Sequence, residues 1–280
     1  MSIAVNSMGV SLGGLPIVKD ISFQIDTGQT VAVLGSNGSG KTTLIKAILG
    51  LHSSSGQVEI MGTALHKFRA WKKIGYVPQR ATVSLHSTTV SEVVESGLLS
   101  GRSLGWVRSR DRHLIAEALE LVGLTDQARE PYLHLSGGQQ QRVLIARGIV
   151  HHPDILIMDE PFAGVDLDFQ AEIITALSRM GSTIVVVLHE TSAWTGVLDR
   201  TLILREGRLV HDGPLAPSQS LDSMDSATNA QKDGVSEAPP TPSPCTTPNS
   251  SPCAKSQGPD HTVGTTDDSL LSGMEPRWNT

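Results

Sequence analysis

The chain has 280 residues, 39% of them apolar, and a formal charge of -6, which allows a sizeable core in one large domain or two small ones. From Gly213 onward there are 3 basic and 8 acidic residues, leaving 19 against 20 before that point, so the core is nearly neutral and its charge gives nucleic acid no hold as a main partner. Both cysteines, Cys245 and Cys253, also lie beyond Gly213, which excludes a fold held by disulfides, and no run is a signal peptide or long enough to cross a bilayer.

In chain order, Ile17 to Ile25, Gln57 to Met61 and Ile74 to Val77 read as strands whose spacing is too tight for crossover helices, and they predict an antiparallel β subdomain. Thr30 to Leu34 is a β-branched run leading into a helix from Lys41. From about 89 to 150 the pattern turns helical, with Val90, Val93, Val94, Gly97 and Leu98 on one face and Leu114, Ala118, Leu121 and Val122 on another. A strand at Ile155 to Met158, a helix at Leu167 to Met180 and a strand at Thr183 to Leu188 follow. That alternation predicts an α/β domain over 1–212 with a mainly parallel sheet, the antiparallel subdomain beside it and a helical insertion within it. The last strand-like piece is Arg208 to Val210, and residues 213–280 hold 10 of the 15 prolines. A segment so poor in apolar periodicity predicts a disordered tail.

Gly35-Ser36-Asn37-Gly38-Ser39-Gly40-Lys41-Thr42 matches the phosphate loop GxxxxGK[ST], set between a strand and a helix as a P-loop NTPase core requires. Its glycines let the backbone wrap phosphate oxygens, the helix N-terminus and Lys41 supply positive charge, and Thr42 offers a hydroxyl to Mg²⁺. Asp159 and Glu160 close a buried-strand run at a sheet edge; Asp159 suits the Mg²⁺ shell and Glu160 suits polarising a water. Leu135-Ser136-Gly137-Gly138-Gln139 opens a helix with Ser136 as its N-cap and two glycines baring the first turn, an anion site.

In this order, phosphate loop, LSGGQ, strand plus Asp-Glu and a later histidine resemble the ATP-binding-cassette ATPases, over roughly Ile3 to Gly213. The resemblance implies an ATPase that uses ATP and Mg²⁺, with Glu160 and His189 catalytic and ATP held by Gly35 to Thr43. It further implies Gln79 as a loop glutamine beside Thr42 and Asp159 at Mg²⁺, and Asp166 as an aspartate at the dimer face. Leu135 to Gln139 would cap the ATP of a second copy in a head-to-tail homodimer. Two departures stand out: Leu12 occupies the position where relatives place an adenine-stacking aromatic, Phe23 reading as core instead, and Glu190 follows the histidine where Asp is usual. Stacking on an aromatic ring is worth about 1–3 kcal/mol, so Leu12 predicts weaker, less base-selective binding.

The blocks GYVPQR, TVSEVV and DEPFAGVD are similar to those in ATPases of zinc, manganese and iron-type importers. Membership of that branch implies integral membrane permease subunits and an extracytoplasmic substrate-binding protein as partners, and a place at the cytoplasmic face of the membrane. The competing class is a soluble ATPase of the same superfamily in DNA repair or translation. One phosphate loop and no long heptad run weigh against it.

Overall fold

A computed structural model describes residues 1–80, 88–99 and 109–214. In chain order the strands and helices are β1 (Ile3–Leu12), β2 (Leu15–Ile25), β3 (Thr30–Leu34), α1 (Lys41–Ile48), β4 (Ser55–Ile60), β5 (Thr63–Ala64), β6 (Ile74–Val77) and α2 (Val90–Glu95). Then come α3 (Ser109–Leu121), α4 (Gly137–Ile149), β7 (Ile155–Asp159), α5 (Leu167–Ser178), β8 (Thr183–Val187), β9 (Arg200–Arg205) and β10 (Arg208–Gly213).

Two sheets result. The first is antiparallel, in the order β2-β1-β4-β5. Its β2 strand buries Val18, Ile21, Phe23 and Ile25 while Ser22 and Gln24 face out, the alternation of a half-buried strand, and Phe23 is core as expected. Gly13 and Gly14 join β1 to β2 with φ of 56° and 81°. Positive φ at both turn positions matches the twist of a two-residue hairpin, and glycine adopts it without strain. The β1 strand was not foreseen because its alternation breaks: the pairing slips between Val5 and Met8, around Ser7 at φ 47°.

The second sheet runs β10-β9-β3-β8-β7-β6, parallel except for the edge pair β9/β10. Strands β3, β7 and β8 are buried along their whole length, as covering both faces of a parallel sheet demands. Here one expectation is corrected. Ile74–Val77 belongs to this parallel sheet, beside Ile155–Met158 of β7, and not to the antiparallel subdomain. The tight spacing before it misled because its crossover is the helical insertion downstream, which returns the chain at β7 parallel to β6. Strand β9 was also unforeseen, and β10 continues to Gly213.

In the insertion, α2 buries Val90, Val93 and Val94, and α3 buries Ala118. Thr89 and Glu92 form a reciprocal capping box at the start of α2. The predicted tail, beyond Pro214, lies outside the described residues. Among the described residues no helix is long and apolar enough to cross a membrane.

Candidate active site

Four parallel strands end on one edge of the second sheet, and each delivers a candidate residue just past its end: Gln79 after β6, Asp159 and Glu160 at β7, His189 after β8, and the loop from Gly35 after β3. The C-terminal edge of such a sheet is where crevices form. The neighbour order β3-β8-β7-β6 therefore gathers residues 35 to 189 that are far apart in sequence.

The loop from Gly35 to Gly40 is held tightly from behind. A side-chain carbon on Gly35, whose φ is 150°, would collide with the Leu204 carbonyl and with Ser39 Oγ. The Gly207 amide donates to the Ser39 carbonyl at 3.1 Å, and the Ser39 amide to Ser36 O at 3.1 Å. Ser36, Asn37 and Gly38 face outward while Gly35, Ser39 and Gly40 are buried, and Thr43 is half-buried. Ser39 Oγ is buried without a hydrogen-bond partner among the described residues. Lys41 is 5% exposed and donates from Nζ to Gly35 O at 2.7 Å and Ser36 O at 3.1 Å. Burial lowers its pKa, while the Glu160 and Asp159 carboxylates pull it back up. An ammonium folded onto two loop carbonyls suits an anion whose oxygens would be better acceptors.

Thr42 Oγ1 donates to Asp159 Oδ1 at 3.1 Å. Asp159 is 1% exposed, and burial raises its pKa, with the Thr42 bond and the Lys46 and Lys41 charges opposing. Burial and the same carboxylate push the Tyr76 phenol on β6 up to about 12. One carboxylate and one hydroxyl do not enclose a cation, and no group of three ligating side chains exists among the described residues. That donor set fits Mg²⁺, which keeps waters and substrate phosphates as most of its ligands.

Glu160 is the meeting point. Gln79 Nε2 donates to its Oε2 at 2.5 Å and His189 Nε2 to its Oε1 at 2.6 Å. Its own φ is 49°, a left-handed conformation that costs a glutamate about 1–3 kcal/mol and is typical of functional sites.

The start of α4 carries the cap expected at Ser136. Ser136 caps the helix, accepting from the Gln139 amide at 3.3 Å, while Gln139 Oε1 accepts from Ser136 N at 2.9 Å. The two glycines have separate reasons. A side chain on Gly137 would meet open space, whereas one on Gly138 would collide with the Gly164 carbonyl just before Asp166. Leu135 is buried, and Asp166 stands immediately ahead of α5. Leu12 is 39% exposed at the hairpin turn, opposite Leu15. Two residues on α4 escaped the sequence reading. Gln141 Nε2 donates to Pro78 O at 3.4 Å, and Arg142 stacks on Phe169. Their only signal was polarity at positions facing inward on a helix.

Residues 18–163 match a family model described as ABC transporter. The chain is 37% identical over 220 residues to the zinc transport system ATP-binding protein TroB of Treponema pallidum, covering 76% of this chain and 81% of that one. It is 40% identical over 196 residues to the manganese transport system ATP-binding protein MntB of Bacillus subtilis (68% and 77%). It is 35% identical over 207 residues to the methionine import ATP-binding protein MetN 2 of Salmonella typhimurium, covering 70% of this chain but 60% of that longer protein. A solved dimeric post-hydrolysis state of an ATP-binding cassette, bound to ADP and Pi, superposes with a TM-score of 0.69 at 26% identity, over 76% of this chain and 99% of that chain.

Proposed function

The chain belongs to the ABC transporter family of ATPases, and from that premise we propose that it powers import of divalent metal ions, with the residues gathered around Glu160 performing the hydrolysis. It binds ATP with Mg²⁺ and hydrolyses it, as this family does. The observation that carries the residue assignment is the convergence of Gln79 and His189 on one carboxylate beside the Thr42–Asp159 pair.

In this reading the amides of Ser36 to Thr42 take the β- and γ-phosphates, and Lys41 exchanges its two carbonyl acceptors for phosphate oxygens. Thr42 and Asp159 hold Mg²⁺, which when bound neutralises charge on the phosphate oxygens. Glu160 accepts a proton from water as the water oxygen bonds to the γ-phosphorus and the bond to the bridging oxygen of ADP breaks, releasing phosphate. His189 orients Glu160 through the 2.6 Å contact, and Gln79 links it to the loop after β6. Leu135 to Gln139 and Asp166 face the nucleotide of a second copy, and integral permease subunits hold the pair at the cytoplasmic face of the membrane, served outside by a substrate-binding protein.

The metal cargo is supported by the zinc and manganese relatives. A second reading, methionine import, is supported by the 35% identity to MetN 2. Purification of the tagged chain from membranes, followed by ATPase assay of the complex reconstituted with its binding protein, tests both. Stimulation by Zn²⁺ or Mn²⁺ and not by methionine is expected, and the reverse would overturn the metal reading. Glu160→Gln in the same complex is expected to lower turnover by about 10²-fold or more while ATP still binds; parental turnover would remove Glu160 from the chemistry.

A further inference from the structure

The glycine-rich start of α4 belongs to the helical insertion, whereas Asp166 belongs to the segment joining β7 to α5. Both must face a partner's nucleotide at once, so something has to hold them in register. Contact begins at Gly138, whose bare α-carbon lets the Gly164 carbonyl approach. One helical turn further along the same face, Arg142 sets its guanidinium carbon 4.2 Å over the Phe169 ring in the first turn of α5. From Nη1 it also donates to the Val122 carbonyl just past α3, at 3.1 Å. The ring has its own slot: a side-chain carbon on Gly123 would lie 2.7 Å from Phe169 Cζ. Asp166 is the carboxylate whose charge acts on the guanidinium.

Arg142 thus ties the end of α3 and the body of α4 to the start of α5. A planar guanidinium can stack on a ring and donate in its own plane at the same time, which an ammonium cannot do. We infer that Arg142 is a positioning residue that locks the Gly137–Gly138 turn and Asp166 into one rigid jaw, governing how two copies close on ATP rather than how one copy captures it. The inference rests on the dimer reading given above.

The test uses the full chain carrying Glu160→Gln, with ATP-dependent dimerisation followed by light scattering and ATP binding measured separately at protein concentrations too low for dimers. The Glu160→Gln parent has to dimerise with ATP; if it does not, the dimer reading itself falls and the jaw with it. With that established, Arg142→Lys and Phe169→Leu are each expected to weaken dimerisation by about ten-fold, with single-copy ATP affinity within about two-fold of the parent. The double variant is expected to be no worse than Arg142→Lys alone, because Phe169→Leu removes only the ring contact that Arg142→Lys has already removed. In the Glu160 background, kcat falls with little change in KM. Phe169→Leu leaves the Val122 bond in place and carries the test should Arg142→Lys not fold. Undiminished dimerisation, additive losses in the double variant, or an equal loss of single-copy binding would overturn the inference.

Discussion

Asp159 shows how a single residue trades stability against chemistry. Burial holds its pKa above the ordinary aspartate value of 3.8 in the folded protein. A carboxyl raised in this way contributes stability that is fully present below pH 3.8 and is lost as pH rises through the higher folded value. At neutral pH the ionised group therefore weighs against the fold, although Lys41 and Lys46 soften the effect. Asp159→Asn keeps an oxygen for the Thr42 hydroxyl and removes the charge. We expect a higher melting temperature at neutral pH, a gap that narrows on acidification toward about pH 4, and Mg-ATP hydrolysis lower by about 10²-fold. A melting temperature that drops at neutral pH would contradict the burial argument. Leu12 is the opposite case, an exposed apolar residue whose hairpin carries Ile17 and Val18 against Gly40 of the phosphate loop. Leu12→Tyr is expected to tighten ATP binding by about ten-fold through stacking and to sharpen the preference for ATP over GTP. Equilibrium titration with both nucleotides decides it, and equal affinities before and after would place the base elsewhere.

At the scale of elements, α4 is the hub. Glycines let backbone approach from three directions: Gly75 of β6 against the Gly148 carbonyl, Gly97 against the Arg147 carbonyl, and Gly138 of the helix itself against the Gly164 carbonyl. Gln141 adds a bond to the Pro78 carbonyl, one residue before Gln79. The helix that opens with Ser136 is therefore coupled by packing to the loop that reaches Glu160. Gly75→Ala would press a methyl group onto Gly148 O, Leu156 Cδ1 and Pro153 Cγ. Because two of these neighbours are backbone or ring atoms that yield little, the substitution is expected to cost about 1–3 kcal/mol in urea unfolding. A loss too small to measure would mean that β6 and α4 are free to separate.

For the molecule as a whole, the described residues form one compact unit that runs through β10, where Gly213 pairs with Thr201. Arg200 clamps that edge by a two-pronged ion pair with Asp212. Since the edge closes on its own partners, truncation after Pro214 is expected to leave ATP hydrolysis within about three-fold of the full chain. A collapse of folding or turnover would show that residues beyond Pro214 take part in the fold.

Local chemistry was legible in the sequence wherever it is contiguous. The glycines and lysine of the phosphate loop, the Ser136 cap with Gln139 three residues on, and the buried run ending in Asp159 and Glu160 each lie within a few residues, so composition and period reveal them. Gln79 and His189 were assigned only through resemblance, because nothing near either one in the chain points to Glu160. The order β3-β8-β7-β6 made that meeting, and the partners in two of its pairings, β3/β8 and β7/β6, are separated by the whole helical insertion. Likewise, no local pattern distinguishes Gly138, needed for a backbone approach, from Gly137, which fronts open space, or marks Arg142 as the link between α4 and α5. Residue type and spacing set what each segment can do, whereas long-range packing decides which segments touch, and only the tertiary structure contains that information.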